Sequence, residues 1–360
     1  MRVNNRLRVL GVTTALLLSS LTFAQSDDSD DTGIDTTLKP RAAEIAPRAP
    51  HTLLLDITRA GKDWVVVGSH GIVLRSSDGQ HWTQSPSPAD ETLTRVRFTD
   101  AQHGWVLGYD GLLMHSDDGG AHWQIKLFNP KWGKPWYDLH FSDAEHGWLV
   151  GANGAMKKTD DGGQTWTDVD ASVLQDQPNL YNLVQLGDGT LMLAGERGFM
   201  ARSTDAGASW VQLRSPYTGS YFGALPIGAR GVLIFGLRGN TFYAADVDAV
   251  PVLTEEQAEA IRNAALDAST ASQAADPIST VDGWKQIAND SHESLYGGSI
   301  TADGRVLLFG GNGRIVQVDS DAGTLRTLPL NSGANFNTGV ADGDDLITVG
   351  TDGVQRLAVK

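Results

Sequence analysis

The sequence has no cysteine, so neither a disulfide framework nor a thiolate metal site can form. Basic residues are also scarce: 28 Lys and Arg stand against 43 Asp and Glu, which gives a formal net charge of -15. Such a surface repels nucleic acid and anionic lipid headgroups, so neither is an expected partner. Long apolar helical patterns are few, whereas 41 Gly and 10 Trp accompany short apolar runs. This composition favours many short strands joined by tight turns.

The N-terminal residues have the features of an export signal. Three arginines precede the apolar run from Val9 to Leu18, and small residues precede a cleavage point after Ala24. The run is shorter than the roughly 20 apolar residues of a membrane-spanning helix, so we predict a signal peptide over residues 1–24. No cysteine lies near the cleavage point, and we therefore expect a periplasmic chain with no direct membrane anchor and a net charge of -18. The acidic residues 25–41 predict a disordered leader.

Paired glycines mark seven repeating units within residues 42–360. Each pair follows an apolar run, encloses two residues and precedes another run, as in a two-residue β-hairpin with positive φ. The pairs are Gly68 and Gly71, Gly108 and Gly111, Gly151 and Gly154, Gly195 and Gly198, Gly236 and Gly239, Gly310 and Gly313, and Gly350 and Gly353. Units of about 40 residues with four short apolar runs are typical of propeller blades. The sequence therefore predicts an all-β fold, a seven-bladed β-propeller of four-stranded antiparallel blades.

The third and last units show how the strands are expected to be used. In the third unit the predicted strands are 137–142, 148–151, 155–159 and 165–168. The last unit has only three strand-like runs, and residues 42–46 lie just before the first unit's inner strand. We therefore predict that an N-terminal strand at 42–46 completes the last blade and leaves no sheet edge unpaired. We expect a single domain and a monomer.

Four units contain a turn with the pattern Ser/Thr-x-Asp-x-Gly-x-x-Trp, known as an Asp box. Its residues are Ser116, Asp118, Gly120 and Trp123; Thr159, Asp161, Gly163 and Trp166; Ser203, Asp205, Gly207 and Trp210; and, one residue short, Ser76, Asp78 and Trp82. The carboxylate and hydroxyl accept turn amides, the Gly permits a left-handed φ, and the Trp wedges into the blade. Because the same Asp recurs at each blade's edge and does not converge on one point, we interpret these residues as structural.

His103 and His146 occupy equivalent turns one unit apart, in FTDAQHGW and FSDAEHGW. A metal site would need them to converge, and no histidines have a ligand spacing such as His-x-x-x-His. We therefore predict repeated turn chemistry at these positions, with no metal and no cofactor.

An insertion widens the fifth unit at about residues 251–282. It begins with Thr254-Glu255-Glu256-Gln257, a capping box, and continues with good helix formers. The pattern predicts a short helix in blade 5, in the place of an Asp box. Two roles are open for this helix, a surface decoration or a docking element for a partner.

Candidate binding residues lie on the face opposite the Asp boxes. Aromatic residues begin five inner strands: Tyr137, Tyr181, Tyr221 or Phe222, Tyr296 and Phe336. A collar of this kind suits a peptide, a sugar or an apolar segment, and core packing between blades explains the same residues equally well. A cationic and aromatic group on this face adds Arg197, Arg238, Lys131, Trp132, Lys134 and Trp136. Arginine and tryptophan favour the cores of interfaces.

The phrase FSDAEHGWLVGANGAMKKTDDGGQTW resembles the repeat of the photosystem II stability/assembly factor family, seven-bladed propellers with BNR or Asp-box repeats. The resemblance covers about residues 50–360, is strong in units two to four, and fades in units five to seven. Photosynthetic members bind an assembling membrane protein, and exported relatives in other bacteria often associate with RND-type transporters. The resemblance thus implies an exported protein-binding propeller. Members use arginines for binding, which points to Arg197 and Arg238.

The alternative function is a glycoside hydrolase, since sialidases and some endoglucanases also contain Asp boxes. Sialidases need an arginine triad, a Tyr and Glu nucleophile pair and an acid, and they have six blades. Their opening Arg-Ile-Pro motif is absent from this chain. No acidic pair stands outside the repeats and the insertion to act across a cleft. We therefore predict a non-catalytic protein that binds a membrane protein or its exported segment.

Overall fold

The computed structural model describes residues 39–254, 256–261, 278–320, 323–329 and 333–358. The predicted signal peptide, residues 1–24, and the leader as far as residue 38 lie outside the described residues. In the described part of the chain, no helix combines the length and apolar character needed to cross a membrane.

The described residues form seven antiparallel sheets, each with its strands in chain order. The strands of blades 1 to 4 are β1 Leu54–Ala60, β2 Asp63–Gly68, β3 Val73–Ser76 and β4 Thr83–Ser85; β5 Leu93–Phe98, β6 Gly104–Gly108, β7 Leu113–Ser116 and β8 Gln124–Leu127; β9 Trp136–Phe141, β10 Gly147–Gly151, β11 Met156–Thr159 and β12 Thr167–Asp168; and β13 Leu180–Gln185, β14 Leu191–Gly195, β15 Met200–Ser203 and β16 Val211–Gln212. Those of blades 5 to 7 are β17 Tyr221–Ile227, β18 Gly231–Gly236, β19 Thr241–Ala244 and β20 Lys285–Gln286; β21 Leu295–Ile300, β22 Val306–Gly310, β23 Ile315–Asp319 and β24 Thr324–Thr327; and β25 Phe336–Asp342, β26 Asp345–Gly350 and β27 Gly353–Ala358. Short 3₁₀ helices lie at Ala49–His51, Ser172–Leu174 and Val247–Ala249.

The first strand of each blade is innermost, and it contacts the first strand of the next blade around a central channel. The series closes because β25 of blade 7 contacts β1 of blade 1. The hydrophobic core lies between neighbouring blades: one cluster joins Trp148 and Val150 of β10 to Leu191 and Leu193 of β14. Each sheet is therefore buried on both faces, which is why the second strands are continuous apolar runs. The prediction of a seven-bladed propeller is confirmed.

The paired glycines mark the hairpins between the second and third strands. In blade 3, Ala155 N donates to Ala152 O at 3.1 Å, and both central residues, Asn153 and Gly154, have positive φ. This is the geometry of a type I′ turn. The non-glycine residues that adopt it at six hairpins are His70, Asp110, Asn153, Arg197, Arg238 and Asn312. We call the side of the ring with these hairpins and the starts of the inner strands the mouth face.

The prediction that residues 42–46 complete blade 7 is wrong. Among the described residues, the sheet of blade 7 contains only β25, β26 and β27. Residues 42–46 lie instead along the outer edge of blade 1: Ala43 N donates to Ser87 O at 3.0 Å and Ala46 N to Gln84 Oε1 at 2.9 Å. The Gln84 amide also donates to Glu44 O. This side chain satisfies the backbone of the segment at blade 1, so the segment does not cross to its neighbour.

Side chains, together with core packing, join blade 7 to blade 1. Arg59 of β1 pairs with Asp342 at 2.6 Å, and Arg356 of β27 pairs with the same carboxylate at 2.9 Å. Asn337 Nδ2 donates to Leu54 O at 2.8 Å. Ile347 and Val349 of β26 share a core cluster with Leu54. Over the described residues, the ring thus closes without a strand exchanged between its two ends.

The insertion begins after β19 and ends at Trp284. Tyr243 pairs with Lys285 as Lys158 pairs with Thr167, so Trp284 occupies the position of the Asp-box residue Trp166. Residues 256–261 are helical, as predicted. The capping box is formed reciprocally, because Gln257 N donates to Thr254 Oγ1 at 3.2 Å and Thr254 N to Gln257 Oε1 at 3.0 Å. Bridges from Val252 to Leu213 and from Ile278 to Tyr217 attach both ends of the insertion to blade 4.

Candidate binding site at the channel mouth

Every inner strand begins with a β-bulge at its second residue. In blade 3, for example, Trp136 pairs with Gly151 and Asp138 with Val150, which leaves Tyr137 without a ladder partner. A bulge re-aims the residue that it displaces. The seven displaced residues are Leu55, Thr94, Tyr137, Tyr181, Phe222, Tyr296 and Asn337. Because the inner strands surround the channel, these residues line its mouth.

Four of these residues form a continuous series of aromatic rings, which we call the aromatic crescent. The ring centroids are 5.0 Å apart for Tyr137 and Tyr181, 5.6 Å for Tyr181 and Phe222, and 5.9 Å for Phe222 and Tyr296. Tyr296 is 40% exposed. Burial raises the pKa of Tyr137 to about 12 and also raises the pKa of Tyr181, so both phenols are neutral. The crescent presents ring surface and neutral hydroxyls to anything that enters the mouth.

Polar side chains below the crescent fix the spacing of the strands that carry it. In blades 1, 3 and 4 the third residue of the inner strand has a polar side chain that accepts a backbone amide of the next inner strand. Asp56 accepts from Val96 N at 2.9 Å, Asp138 from Leu183 N at 3.1 Å, and Asn182 from Ala224 N at 2.9 Å. These acceptors are buried, and each bond joins two blades. The aromatic rings are therefore held on a rigid frame.

Two arginines complete this layer of the channel. Arg97 donates to Asp56 and Asp138, both at 3.1 Å. Burial opposes its charge, but the two carboxylates outweigh burial and raise the pKa of Arg97. Arg95 Nε donates to Tyr137 O at 3.1 Å, directly under the crescent. Together with Arg95 and Arg97, His140 lines a channel cavity of about 1100 Å³. The paired charges make this layer close to neutral overall.

The cationic candidates lie around the mouth, outside the crescent. Arg197 and Arg238 are exposed at hairpin tips with φ of 52° and 56°. Lys131 and Lys134 are exposed in the loop before β9. Trp132, in the same loop, is half-buried, with its ring 4.8 Å from that of Trp136. The structure thus places these charges on the mouth face, as the strand order implies.

Three aromatic candidates are buried in the blades and do not line the channel. The exposures of Tyr221, Phe336 and Trp136 are 0%, 1% and 1%. Each is the first residue of its strand and points into the core: the Tyr221 hydroxyl bonds Ser215 Oγ at 2.8 Å, and Trp136 Nε1 donates to Gly111 O. The prediction of Tyr221, Phe336 and Trp136 as binding residues therefore requires correction. Of the neighbouring pair in blade 5, Phe222 faces the channel because the bulge displaces the second residue.

The Asp boxes lie on the opposite face and hold turns together. Gly163 N donates to Thr159 Oγ1 at 2.8 Å, and Thr165 N donates to Asp161 Oδ1 at 2.9 Å. Bonds from the Thr165 hydroxyl and amide lower the pKa of Asp161 to about 2. Gly163 packs against the ring of Trp105 in the preceding blade so closely that a Cβ atom at this position would lie only 2.3 Å from the ring. Equivalent bonds occur at Ser76 and Asp78, Ser116 and Asp118, and Ser203 and Asp205.

His103 and His146 belong to turns of the same kind. His103 Nδ1 lies 2.7 Å from Asp100, and His146 Nδ1 lies 2.9 Å from Asp143, each within its own turn. Over the described ranges, no group of three or more His, Cys, Asp or Glu side chains is arranged to hold a metal ion. This arrangement agrees with turn chemistry at both positions.

Sequence reasoning missed Asp138, Arg95 and Glu196, which lie in or beside the mouth. A signal for the first two was present: a charged residue stands third in WYDL and LTRV, each at the start of an inner strand. Such a residue is buried among neighbouring inner strands, so it needs a partner there. Glu196 gave no comparable signal, because it stands in an exposed hairpin beside Arg197.

A family model described as "Photosynthesis system II assembly factor YCF48" matches residues 74–134 and 131–216. The photosystem II assembly lipoprotein Ycf48 of Synechococcus sp. (strain CC9902) is 38% identical over 68 residues, which cover 18% of this chain and 20% of that protein. The photosystem II stability/assembly factor HCF136 of Guillardia theta is 39% identical over 49 residues, 13% of this chain and 12% of that protein. The chain thus aligns with a fifth or less of the length of these relatives.

A solved structure described as "YCF48 bound to D1 peptide" superposes with a TM-score of 0.62 at 15% identity, covering 90% of this chain and 98% of that one. At this level of identity the likeness shows a shared fold. The repeats of blades 1 to 4 supply the sequence relation, because they contain both the Asp boxes and the matched residues 74–216. In its repeats and its fold the chain is therefore similar to the photosystem II assembly factor family of seven-bladed propellers, and the family model covers residues 74–216.

Proposed function

We propose that this protein is an exported, non-catalytic propeller that binds a segment of a membrane protein at its mouth face and assists the assembly or stability of that protein's complex. The observation that carries the proposal is the aromatic crescent, whose four residues are aimed at the channel mouth by four of the seven regular bulges. The structure of YCF48 bound to D1 peptide supports a peptide as the ligand class. An RND-type transporter is the partner that the resemblance to exported relatives favours.

The channel carboxylates support a binding role over the glycoside hydrolase alternative. Asp56 and Asp138 each accept a backbone amide and an arginine. A general acid or a nucleophile must be free to contact substrate, whereas these two groups are engaged in holding strands. Turnover of a sialoside or a β-glucan that is abolished by Asp138→Asn in a folded variant would overturn this conclusion.

Site-specific photo-crosslinking in intact cells tests the proposed function. A benzophenone amino acid placed at Tyr296, at the exposed end of the crescent, should form adducts with a membrane protein of the envelope. The matched control is the same probe at Gln80, which is exposed in an Asp-box turn on the opposite face. Adducts at Tyr296 that are at least about fivefold more abundant than at Gln80 are expected. Equal yields at the two positions, or none at Tyr296, would contradict binding at the mouth.

A further inference from the structure

One end of the aromatic crescent is joined by a third tyrosine and a carboxylate. Tyr109, 44% exposed, projects from the hairpin of blade 2. Glu196 stands in the hairpin of blade 4. Both hairpins lie beside the starts of inner strands, because Tyr109 N donates to Thr92 O and Glu196 N to Asn179 O, each at 3.0 Å, and the rings of Tyr137 and Tyr181 are 5.0 Å apart. Three phenol rings and one carboxylate thus lie at the mouth ends of blades 2, 3 and 4, and we call this group the tyrosine site.

The carboxylate of the tyrosine site has a hydrogen-bond partner but no cation. Glu196 Oε2 accepts from Asn179 Nδ2 at 2.9 Å. Within the described part of the chain, no Lys or Arg forms an ion pair with Glu196. The charge of Arg95, below the site, is met by Asp138 at 3.3 Å. The site is thus electronegative.

The faces of phenol rings attract a cation that lies within about 6 Å of the ring centroid. A carboxylate at the same place adds direct Coulomb attraction, and partial burial strengthens both effects. An apolar ligand would cover the Glu196 carboxylate without supplying a counter-charge, and an acidic ligand would be repelled. The net charge of -15 on the whole chain acts in the same direction at long range.

We propose that the tyrosine site, formed by Tyr109, Tyr137, Tyr181 and Glu196, takes a Lys or Arg side chain from the partner segment. This inference rests on the proposed function and adds a specificity to it. The partner segment would then be apolar with a basic residue, and not an acidic segment drawn to Arg197 and Arg238. The mouth would bind the apolar side chains of the segment along the crescent and its basic side chain at the end of the crescent.

Three labelled peptides that differ at one position test this inference with the full exported chain. They are acetyl-Gly-Leu-X-Leu-Gly-amide with lysine, norleucine or glutamate at X, and the measurement is fluorescence anisotropy. The lysine peptide should bind about tenfold more tightly than the norleucine peptide, and added salt should reduce the preference. The glutamate peptide should bind most weakly.

Variants connect this preference to the site. Glu196→Gln and Tyr181→Leu should reduce the preference for lysine to about twofold or less, whereas Tyr181→Phe, which retains the ring, should keep it. Glu293→Gln is the matched control: this carboxylate also lies at the mouth face, paired with an amide, that of Asn312, at 2.7 Å. It should leave the preference unchanged. Thermal unfolding of each variant verifies that it is folded.

Equal affinity for the lysine and norleucine peptides, or binding too weak to detect for all three, would overturn the inference. Tightest binding of the glutamate peptide would also overturn it and would indicate recognition by Arg197 and Arg238. Each of these results leaves the proposed function standing if Tyr296 still forms adducts with a membrane protein. If Tyr296 formed no such adducts, the proposed function itself would be contradicted.

Discussion

At the scale of single residues, Asp138 joins two arginines and a neighbouring inner strand in the channel lining. It is 1% exposed, its oxygens accept from Leu183 N, Asn182 Nδ2 and Arg97, and it forms an ion pair with Arg95 at 3.3 Å. Asp138→Ala would leave these donors without their acceptor in a buried setting. We expect the free energy of unfolding to fall by about 3 kcal/mol, the lower end for a broken buried pair, because the Arg97 side chain is 35% exposed and can be hydrated. Urea denaturation followed by tryptophan fluorescence measures the change.

Asp160→Ala is the matched comparison for this prediction. Asp160 also pairs with a cation, Lys158 at 3.5 Å, but both side chains are largely exposed. An exposed pair contributes about 1 kcal/mol or less. Equal losses in the two variants would show that burial does not determine the role of Asp138.

The residues that were predictable from sequence are those whose pattern is complete within one turn. An Asp box places its hydroxyl, carboxylate, glycine and tryptophan within eight residues, so Thr159 and Asp161 could be assigned their bonds without a structure. The channel lining depends instead on bonds between blades. Tyr221 and Phe222 are adjacent aromatics, and only the bulge between Tyr221 and Gly223 decides which of them faces the channel.

At the scale of elements, the N-terminal segment is the part of the fold that sequence reasoning misplaced. Seven similar units show how many blades exist, but they do not show which outer edge a short segment will join. In the structure the segment is held at blade 1 by Gln84, whose side-chain amide accepts from Ala46 N and donates to Glu44 O. By contrast, the strands of the third unit, predicted at 148–151 and 155–159, are observed at Gly147–Gly151 and Met156–Thr159.

Hydrogen exchange distinguishes the observed place of this segment from the predicted one. In a variant that lacks residues 39–46, amide exchange should rise in Thr83–Ser85 and at Ser87, because the segment no longer covers that edge. Exchange in β27, Gly353–Ala358, should not change, because β27 pairs only with β26 among the described strands. The measurement is exchange followed by mass spectrometry of peptic fragments. Faster exchange confined to β27 would instead support the predicted pairing of residues 42–46 with blade 7.

At the scale of the whole molecule, the regular and irregular parts of the chain serve different purposes. The bulge recurs in the inner strand of every blade, and it places seven side chains around the mouth. Which side chains stand there varies: aromatic in blades 3 to 6, but Leu55, Thr94 and Asn337 in the others. Repetition therefore builds the ring, and differences between repeats give the mouth its chemical character and its asymmetry.

The Asp boxes make the ring's stability depend on acid pH in a way that single variants can isolate. Bonds from the Thr165 side chain and amide hold the pKa of Asp161 at about 2, and bonds from Ser209 do the same for Asp205, against an ordinary value of 3.8. A folded-state pKa below the unfolded value stabilises the fold above about pH 4, and this stabilisation is lost as the pH falls to about 2. Burial raises the pKa of Glu91 and Asp110, which acts in the opposite direction.

Because these effects oppose one another, the informative quantity is the difference in melting temperature between the wild type and the variant Asp161→Ala with Asp205→Ala. This difference should be largest at pH 5 and should shrink steadily towards pH 2, because protonation removes from the wild type the charged acceptors that the variant already lacks. Circular dichroism at pH 5, 4, 3 and 2 measures it. Gln164→Ala, in the same turn as Asp161 but without a titrating group, should differ from the wild type by the same amount at every pH. A wild-type to variant difference that stayed constant over this range would mean that the Asp-box carboxylates hold their turns equally well when protonated.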